Sequence, residues 1–250
     1  MLLLDPAEGT LLDRAAHAGG SYAGLLFTPD GRTLLASSLK GSIGRFGVTA
    51  KGRLEPRPPI LVPAASENPR HDRTAEGPSG PQGAAAVPGA GAKNPLPLGL
   101  ALGPGGTTLW AVLTLRTTLV EIDLEGGTVR RRIPVGNAPY GVALAAGKAY
   151  VSNWAGRHPA PGEPQGPSGS GTPVRVDPLR HIASDGTVSV VDLQAGRELG
   201  QLPVGLHPSG IAPAPDGRFV AVANANSDTV SVIDTAQDEV VETLEVRPAR

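Results

Sequence analysis

Short apolar segments recur along the chain, and residues that favour turns separate each segment from the next. The clearest group of four follows His207 and predicts strands A, B, C and D at 209–214, 219–223, 229–234 and 240–246. Gly, Pro, Asn or Asp stands at every break, as in the Pro-Asp-Gly turn at 215–217. The pattern therefore predicts four short strands joined by tight turns.

The same four-strand pattern occurs three more times, beginning near Ala23, Pro97 and Pro139. Pro97 and Pro139 are spaced by about 42 residues, and so are Gly186 and Asp228, which is the blade length of a four-stranded propeller repeat. The strands are apolar on both faces, because each predicted blade is covered by its neighbours. A parallel sheet with crossover helices is the alternative, but no segment between the strands is long enough and sufficiently free of glycine. The sequence therefore predicts an all-β propeller of four-stranded antiparallel blades.

The predicted organisation is about four blades plus a half blade within one domain, 1–250. The half blade is 1–19, because it matches only strands C and D. The blades are 20–63, 96–136, 137–205 and 206–250. A closed propeller needs complete blades, so we expect a piece of a longer propeller, with two exposed sheet edges.

Two inserts interrupt the repeat, at 64–95 and at 155–185. Both are rich in Pro, Gly, Ser and Ala, so we expect each to be a loop without a core of its own, and the first to be disordered. The first joins strand D to the next strand A, and the second joins strand B to strand C. In an up-and-down blade these two connections emerge on the same face, so both inserts are expected at one rim.

Composition excludes several classes of protein. The 34 Gly and 26 Pro rule out a long helical bundle, and with only eight aromatic residues (three Phe, two Trp, three Tyr) the core must be aliphatic. The net charge of −1 gives no basic face, so nucleic acid is not an expected partner. With no cysteine, disulfides and thiolate sites are excluded. The apolar start, 1–4, is too short for a membrane span or a signal peptide.

Polar and aromatic residues gather at the rim that carries the inserts. A Trp beside Arg and His on a loop is suited to stack against a ligand or partner and to hydrogen bond with it. The alternative is that the Asn residues satisfy loop backbone groups and that the Trp fills a gap beside the insert. The candidate binding residues are Tyr140, Asn153, Trp154, Arg157, His158, His207, Asn224 and Asn226, with Asp228 beside them.

His181, Asp185 and His207 invite a metal hypothesis, because imidazole and carboxylate are usual ligands of zinc and iron. Their spacing gives no reason for them to converge, and a solvated loop histidine is the simpler interpretation. Nucleotide-binding, nucleophile-elbow and zinc-protease motifs are absent. We therefore predict no metal site, no cofactor and no catalytic residue in this chain.

Two strand B segments, Tyr-Val-Ser-Asn at 150–153 and Val-Ala-Val-Ala-Asn at 220–224, resemble the YVTN propeller repeat. Each is followed by a Thr-Val-Ser-Val strand C that ends in Asp. With the motifs at 154–157, 171–177 and 205–210, the chain resembles the YncE-like propeller that is fused to a phosphoesterase of the alkaline phosphatase superfamily. The resemblance covers nearly the whole chain and implies part of a seven-bladed propeller.

The resemblance implies a WD40-like repeat protein, periplasmic or secreted, that binds an attached or associated phosphoesterase domain or a small-molecule ligand. No residue matches the metal ligands or nucleophile of that hydrolase, so its activity would reside in another domain. We therefore expect a non-catalytic binding or scaffold module. The alternative is a propeller enzyme, a lactonase or an oxidoreductase subunit, with polar residues at the central channel. The corresponding strand A positions are Gly24, Gly99, Gly141 and Gly210, which disfavours it.

Overall fold

The computed structural model describes residues 1–17, 19–20, 23–63, 94–167 and 172–247. Its strands form four four-stranded antiparallel sheets and two two-stranded sheets, as the predicted fold class requires. Most of the predicted disordered insert at 64–95 lies outside the described residues. At its end, the Asn94 side chain donates a 2.6 Å hydrogen bond to the Leu39 carbonyl.

The strands follow the order of the repeat, with A innermost and D outermost. The half-blade is β1 (Leu2–Leu4) and β2 (Leu11–Arg14). Blade I is β3 (Leu25–Phe27), β4 (Thr33–Ser37), β5 (Ser42–Val48) and β6 (Leu54–Leu61). Blade II is β7 (Pro97–Leu102), β8 (Thr108–Leu113), β9 (Thr118–Asp123) and β10 (Thr128–Pro134), with 3-10 turns at Pro104–Gly106 and Thr114–Arg116.

Blade III contains an additional hairpin, and blade IV closes the described chain. Blade III begins with β11 (Pro139–Ala145) and β12 (Lys148–Asn153). The hairpin β13 (Gln165–Pro167) and β14 (Pro173–Arg175) follows, and then β15 (Gly186–Asp192) and β16 (Arg197–Val204) complete the blade. Blade IV is β17 (Pro208–Pro213), β18 (Phe219–Asn224), β19 (Thr229–Asp234) and β20 (Glu239–Glu245).

The turn between β1 and β2 has the geometry of a turn between strands C and D. Asp5 Oδ1 accepts hydrogen bonds from the backbone amides of Ala7 and Glu8 at 2.8 and 3.1 Å. Asp192 Oδ1 makes the same two bonds in blade III, both at 2.8 Å. We therefore describe β1 and β2 as strands C and D of a half-blade.

Successive blades pack face to face. We call the side that contacts the following blade the front face, and the opposite side the back face. Leu35, Trp110 and Tyr150 occupy one equivalent front-face position in strand B of blades I, II and III, and they are 0%, 3% and 0% exposed. Each belongs to an apolar cluster shared with the next blade. Covering both faces explains why neighbouring strand positions are both apolar.

Glycine is required where one strand A touches the next. A Cβ added at Gly24, Gly99 or Gly141 would lie 2.1, 2.7 or 2.7 Å from a carbonyl oxygen in strand A of the following blade. At the equivalent Gly210 of blade IV, the nearest atom would be the Ala223 Cβ at 3.9 Å. The open space at Gly210 marks the end of the described blades.

A cationic side chain from each of blades I to III reaches the turn between strands C and D of the next blade. We call these the inter-blade cation contacts. They join Arg45 Nη1 to the Leu124 carbonyl at 3.3 Å, Arg131 Nη2 to the Leu193 carbonyl at 2.8 Å, and Lys148 Nζ to the Thr235 carbonyl at 2.9 Å. Each acceptor is the residue after the aspartate that ends strand C.

The described part of the insert at 155–185 is structured, so the expectation of a loop without a core was wrong. The strands β13 and β14 pair within it, and Val176 forms an isolated bridge with Ala183. Ala155, Val174 and Ala183 are buried together, with Ala138 packed against them. Small apolar side chains suffice because the insert packs onto the loop before strand A of its own blade.

The two exposed sheet edges that the sequence predicts are found at one end only: among the described strands β1 pairs with β2 alone, whereas blade IV exposes a sheet face. All four strands of blade IV pair as in the other blades. Leu244 and Val246 on its front face are 44% and 57% exposed, whereas the equivalent Ile133 and Val135 of blade II are 1% and 3% exposed.

Candidate functional site

The most distinctive contact at the rim is a ring stack between two blades. Trp154 follows strand B of blade III, and its ring lies on that of His207, which precedes strand A of blade IV. The ring centroids are 4.0 Å apart, and the planes are inclined by 19°. Trp154 is 41% exposed, whereas His207 is 7% exposed. The indole is thus held on one side and open on the other.

His207 owes its backbone conformation to the repeat. Its φ is +51°, and the equivalent residues Leu96 and Ala138, which also precede a proline, have φ of +49° and +48°. The left-handed conformation is therefore a feature of this loop rather than strain specific to a site. Burial lowers the pKa of the His207 ring, and a hydrogen bond with the Asn226 side chain partly opposes that shift. His207 is consequently a neutral support for Trp154 near pH 7.

Ion pairs fix the insert beside Trp154. The Arg157 guanidinium binds both carboxylate oxygens of Glu163, with Nη1 to Oε2 at 2.8 Å. Asp185 lies 3.6 Å from Arg157 Nε and 3.5 Å from Arg175 Nη1. The bond with Arg157 is the largest cause that lowers the Glu163 pKa, to about 2. Burial raises the pKa of Asp185, although both arginines oppose the shift. This network orders the loop, as paired guanidinium and carboxylate groups do.

Asn153 and Asn224 occupy the same position at the end of strand B and are 0% and 1% exposed. The Asn153 amide donates to the hydroxyls of Thr187 and Ser189 at 3.0 and 2.8 Å. Asn224 makes the equivalent two bonds to strand C of blade IV. Because their amides are buried and engaged within a blade, neither candidate residue is placed to contact a ligand or partner.

The other candidates lie at different depths of the rim. Tyr140 is half-buried and packs against the apolar cluster between blades II and III. His158 is exposed, and its carbonyl accepts a 3.0 Å hydrogen bond from Arg157. Asn226 and Asp228 are exposed beside the His207 loop. The structure therefore brings Trp154, His207 and Asn226 together, with Tyr140 beneath a neighbouring interface.

The metal hypothesis finds no geometric support. His181 is exposed in a tight turn, where its amide donates to the Asp177 carbonyl at 2.9 Å. Asp185 pairs with arginines and His207 stacks on Trp154. Within the described ranges, no group of three or more His, Asp or Glu side chains is placed to hold a metal ion.

Sequence reasoning missed three residues that organise the rim. Glu163 and Arg175 complete the ion-pair network. Asn137 is 1% exposed and donates to the carbonyls of Arg157 and Pro173 at 3.3 and 3.1 Å, which joins the insert to the loop before strand A. Glu163 and Arg175 lie in the insert, where only a count of charged residues could have suggested them, and Asn137 lies in the loop Pro-Val-Gly-x-x-Pro, which recurs at 203–208 with Leu206 in its place.

Comparison with solved structures assigns the fold. No protein-family model matches the chain, and no curated protein matches its sequence. Hydrazine synthase from Kuenenia stuttgartiensis is similar with a TM-score of 0.57 and 15% identity, over 92% of this chain and 52% of that one. A 6-phosphogluconolactonase-like protein from Bacteroides uniformis has a TM-score of 0.58 and 15% identity, over 98% of this chain and 65% of that one. The chain has a β-propeller fold.

At this identity the similarity shows the fold alone. The propeller spans about half and two thirds of the lengths of those two proteins, 52% and 65%. Among the described residues, no helix is long and apolar enough to cross a membrane.

Proposed function

We propose that this propeller is a non-catalytic binding module whose contact surface is the rim around Trp154. The observation that carries the proposal is the Trp154–His207 stack, which holds a 41% exposed indole in one orientation. Exposed tryptophans that are fixed before binding are typical anchors of protein interfaces, because little side-chain entropy is lost on association. The exposed residues of the surface are Trp154, His158 and Asn226, and the candidates His207 and Arg157 hold them in place from beneath and beside.

The ion-pair network supports this surface without forming it. Arg157 is 40% exposed, but its guanidinium is already bonded to Glu163. Its contribution is to hold the insert in place, so that the loop does not have to order when a partner binds. Arg157 is therefore a positioning residue in this proposal, and Trp154 is the anchor.

The partner that we propose is a phosphoesterase domain of the alkaline phosphatase superfamily, attached or associated, in a periplasmic or extracellular protein. The support is the resemblance of the segments at 150–157, 171–177 and 205–210 to the YncE-like propellers that are fused to such domains. A small-molecule ligand at the same rim is the other candidate partner. Both would use the exposed indole face.

Fluorescence titration tests the proposal, because the two tryptophans differ in exposure. Trp110 is 3% exposed and Trp154 is 41% exposed, so a change of emission on binding that disappears in W154F locates the contact. The probe is a recombinant phosphoesterase domain of the resembling family, followed by a panel of small metabolites. We expect W154A to weaken binding at least tenfold, or about 1.4 kcal/mol.

The matched control is L199A, which truncates a 45% exposed side chain on strand D of blade III, away from the rim. L199A should bind as the wild type does. If W154A lowers the melting temperature as strongly as it lowers affinity, Trp154 is a packing residue. If the wild type binds neither the phosphoesterase domain nor any tested metabolite, the binding-module proposal fails.

A lactonase is the second candidate, supported only by the similarity to a 6-phosphogluconolactonase-like propeller. The four strand A positions nearest the axis are glycines, and three of them, Gly24, Gly99 and Gly141, lie against the next strand A, so catalytic side chains would have to come from other positions. Hydrolysis of 6-phosphogluconolactone above the uncatalysed rate would favour this candidate over a pure binding module.

A further inference from the structure

A groove separates the outer strands of blades I and II. One wall is formed by Leu61 and Pro63, at the end of strand D of blade I, and the other by residues 127–132 of blade II. The volume of the groove is about 640 Å³, within the range of about 300–1,000 Å³ that is usual for small-molecule sites. Both walls belong to four-stranded blades that pack against each other, so the groove is a feature of a blade interface within the arc.

Three consecutive arginines lie in the blade II wall, and two of them are paired with carboxylates of strand C. Arg130 Nη2 lies 2.5 Å from Asp123 Oδ1. Arg131 binds Glu121 and also donates to the Leu193 carbonyl, so its guanidinium is engaged with blade III on the front face. The positive charge that remains in the groove therefore comes from the third arginine.

Arg132 is the third arginine, and it forms no ion pair with the described residues. Its Nη2 donates across the groove to the Pro63 carbonyl at 2.8 Å, which fixes the position of the guanidinium. Burial lowers the pKa of Arg132, and the nearby charge of Arg116 lowers it further. Because arginine keeps its proton in proteins, a half-buried positive charge remains beside a second one. An anion in the groove would offset both the desolvation and the repulsion.

The groove also offers apolar surface beside this charge. Leu61 is 71% exposed, and Val129 on the opposite wall packs against the apolar cluster between blades I and II. The planar fork of a guanidinium binds two oxygens of a phosphate or carboxylate side by side. A ligand that fits this combination has an oxyanion at one end and a short apolar group next to it.

We propose that the groove binds a small organic oxyanion, either a phosphate monoester or a carboxylate, that carries a short apolar group. The oxyanion contacts the Arg132 guanidinium, which the Pro63 carbonyl holds in place, and the apolar group lies against Leu61. The site lies between blades I and II, whereas the contact surface around Trp154 joins blades III and IV. The two proposals are therefore independent of each other.

Isothermal titration calorimetry of the 250-residue chain at low salt tests the proposal, with phenyl phosphate, benzoate and inorganic phosphate as probes. The wild type should bind phenyl phosphate or benzoate at millimolar concentration or below, and more tightly than inorganic phosphate, which lacks an apolar group. The tighter of the two aromatic probes identifies the oxyanion. Sodium chloride should weaken binding, because the contact is between charges. R132Q should weaken it at least about tenfold, and R132K less, because lysine keeps the charge without the planar fork.

The matched control is R197Q, which removes an exposed arginine from strand D of blade III, away from the groove, and should bind as the wild type does. Because Arg132 also links two blades through Pro63, a second variant tests the site without disturbing that bond. L61D places a carboxylate at a 71% exposed position of the groove and should abolish binding of all three probes. L61N should keep the affinity for inorganic phosphate but lose the preference for the aromatic probes.

The segment after Pro63 contains three carboxylates, Glu67, Asp72 and Glu76, which are the other possible source of an oxyanion for this groove. If the wild type binds no probe but the triple variant E67Q/D72N/E76Q does, the chain supplies its own anion and the ligand proposal fails. It also fails if neither chain binds a probe, if R132Q binds as R197Q does, or if L61D leaves the affinity unchanged. Circular dichroism establishes that each variant is folded.

Discussion

The glycines of strand A provide a matched pair of substitutions at one position of the repeat. In Gly141→Ala, the new Cβ would lie 2.7 Å from the Ser209 carbonyl oxygen and 2.8 Å from Ile211 Cγ2. Both distances are too short for carbon, and the first involves backbone that cannot rotate away. The Ser152 hydroxyl, which accepts from the Gly141 amide and donates to the Ser209 carbonyl, would be displaced as well. Overpacking of this kind costs about 1–3 kcal/mol.

Gly210→Ala should have the opposite sign. Its Cβ would meet nothing nearer than the Ala223 Cβ at 3.9 Å. Replacing glycine by alanine at a position with room for the methyl group stabilises a protein by about 0.4–1 kcal/mol, because the unfolded chain loses freedom. For a chain of this size each kcal/mol shifts the melting temperature by about 2–4 °C.

Thermal and urea unfolding of the wild type and both variants, at low protein concentration, measure the difference. We expect Gly141→Ala to melt several degrees below the wild type and Gly210→Ala at or slightly above it. Equal destabilisation by both substitutions would refute the reasoning, because it would mean that Gly210 is as closely packed as Gly141. No destabilisation by Gly141→Ala would show that the contact between successive A strands is loose.

Three further predictions follow from buried polar groups. Asp238→Ala removes the carboxylate that binds the Tyr150 hydroxyl and the Lys148 ammonium group, both at 2.6 Å, and should lower the free energy of unfolding in urea by about 1–3 kcal/mol. An unchanged urea midpoint would show that these bonds do not stabilise the fold. Asn153→Ala should cost about 1–3 kcal/mol and the exposed Asn226→Ala much less; a reversed order would contradict their assignment as buried and surface residues. Because burial lowers the pKa of His207 in the folded state, the unfolded chain binds a proton first as the pH falls below 6.5, and the free energy of unfolding should decrease from there down to the folded pKa. His207→Gln should lack that part of the decrease. Identical pH profiles of stability for the wild type and His207→Gln would disprove the role of burial.

The repeat made most of the fold predictable from the sequence. Strand C of blade IV was predicted at 229–234 and is Thr229–Asp234, because its Thr-Val-Ser-Val-Ile-Asp pattern has a defined start and end. Strand A was predicted one residue late and begins at Pro208, since the left-handed His207 before it has no signature of its own in the sequence. Local patterns set the strands, and loop geometry sets their first residues.

The rim was predictable in location but not in its contacts. The topology rule put Trp154 and His207 on one face, but their stack depends on how blade IV is rotated against blade III, which no local pattern contains. The order in the insert was missed because its apolar residues are as small as Ala155 and Ala183, and its stability also comes from charges such as Glu163 and Arg175. Amino-acid composition indicates how much hydrophobic volume a segment can bury, but it does not show which of its charged residues form ion pairs.

The inter-blade cation contacts have a consequence for how this protein tolerates change. Each cation bonds to a main-chain carbonyl, at Leu124, Leu193 or Thr235, so this bond does not depend on the side chain of the accepting residue. Duplication of a whole blade would carry its own donor and acceptor with it, and the copied blade would join its neighbours without a compensating substitution. The accepting half of each linkage is therefore inherited with the backbone, whereas the donating half requires a cationic side chain, which strand C, D or B supplies in blades I, II and III.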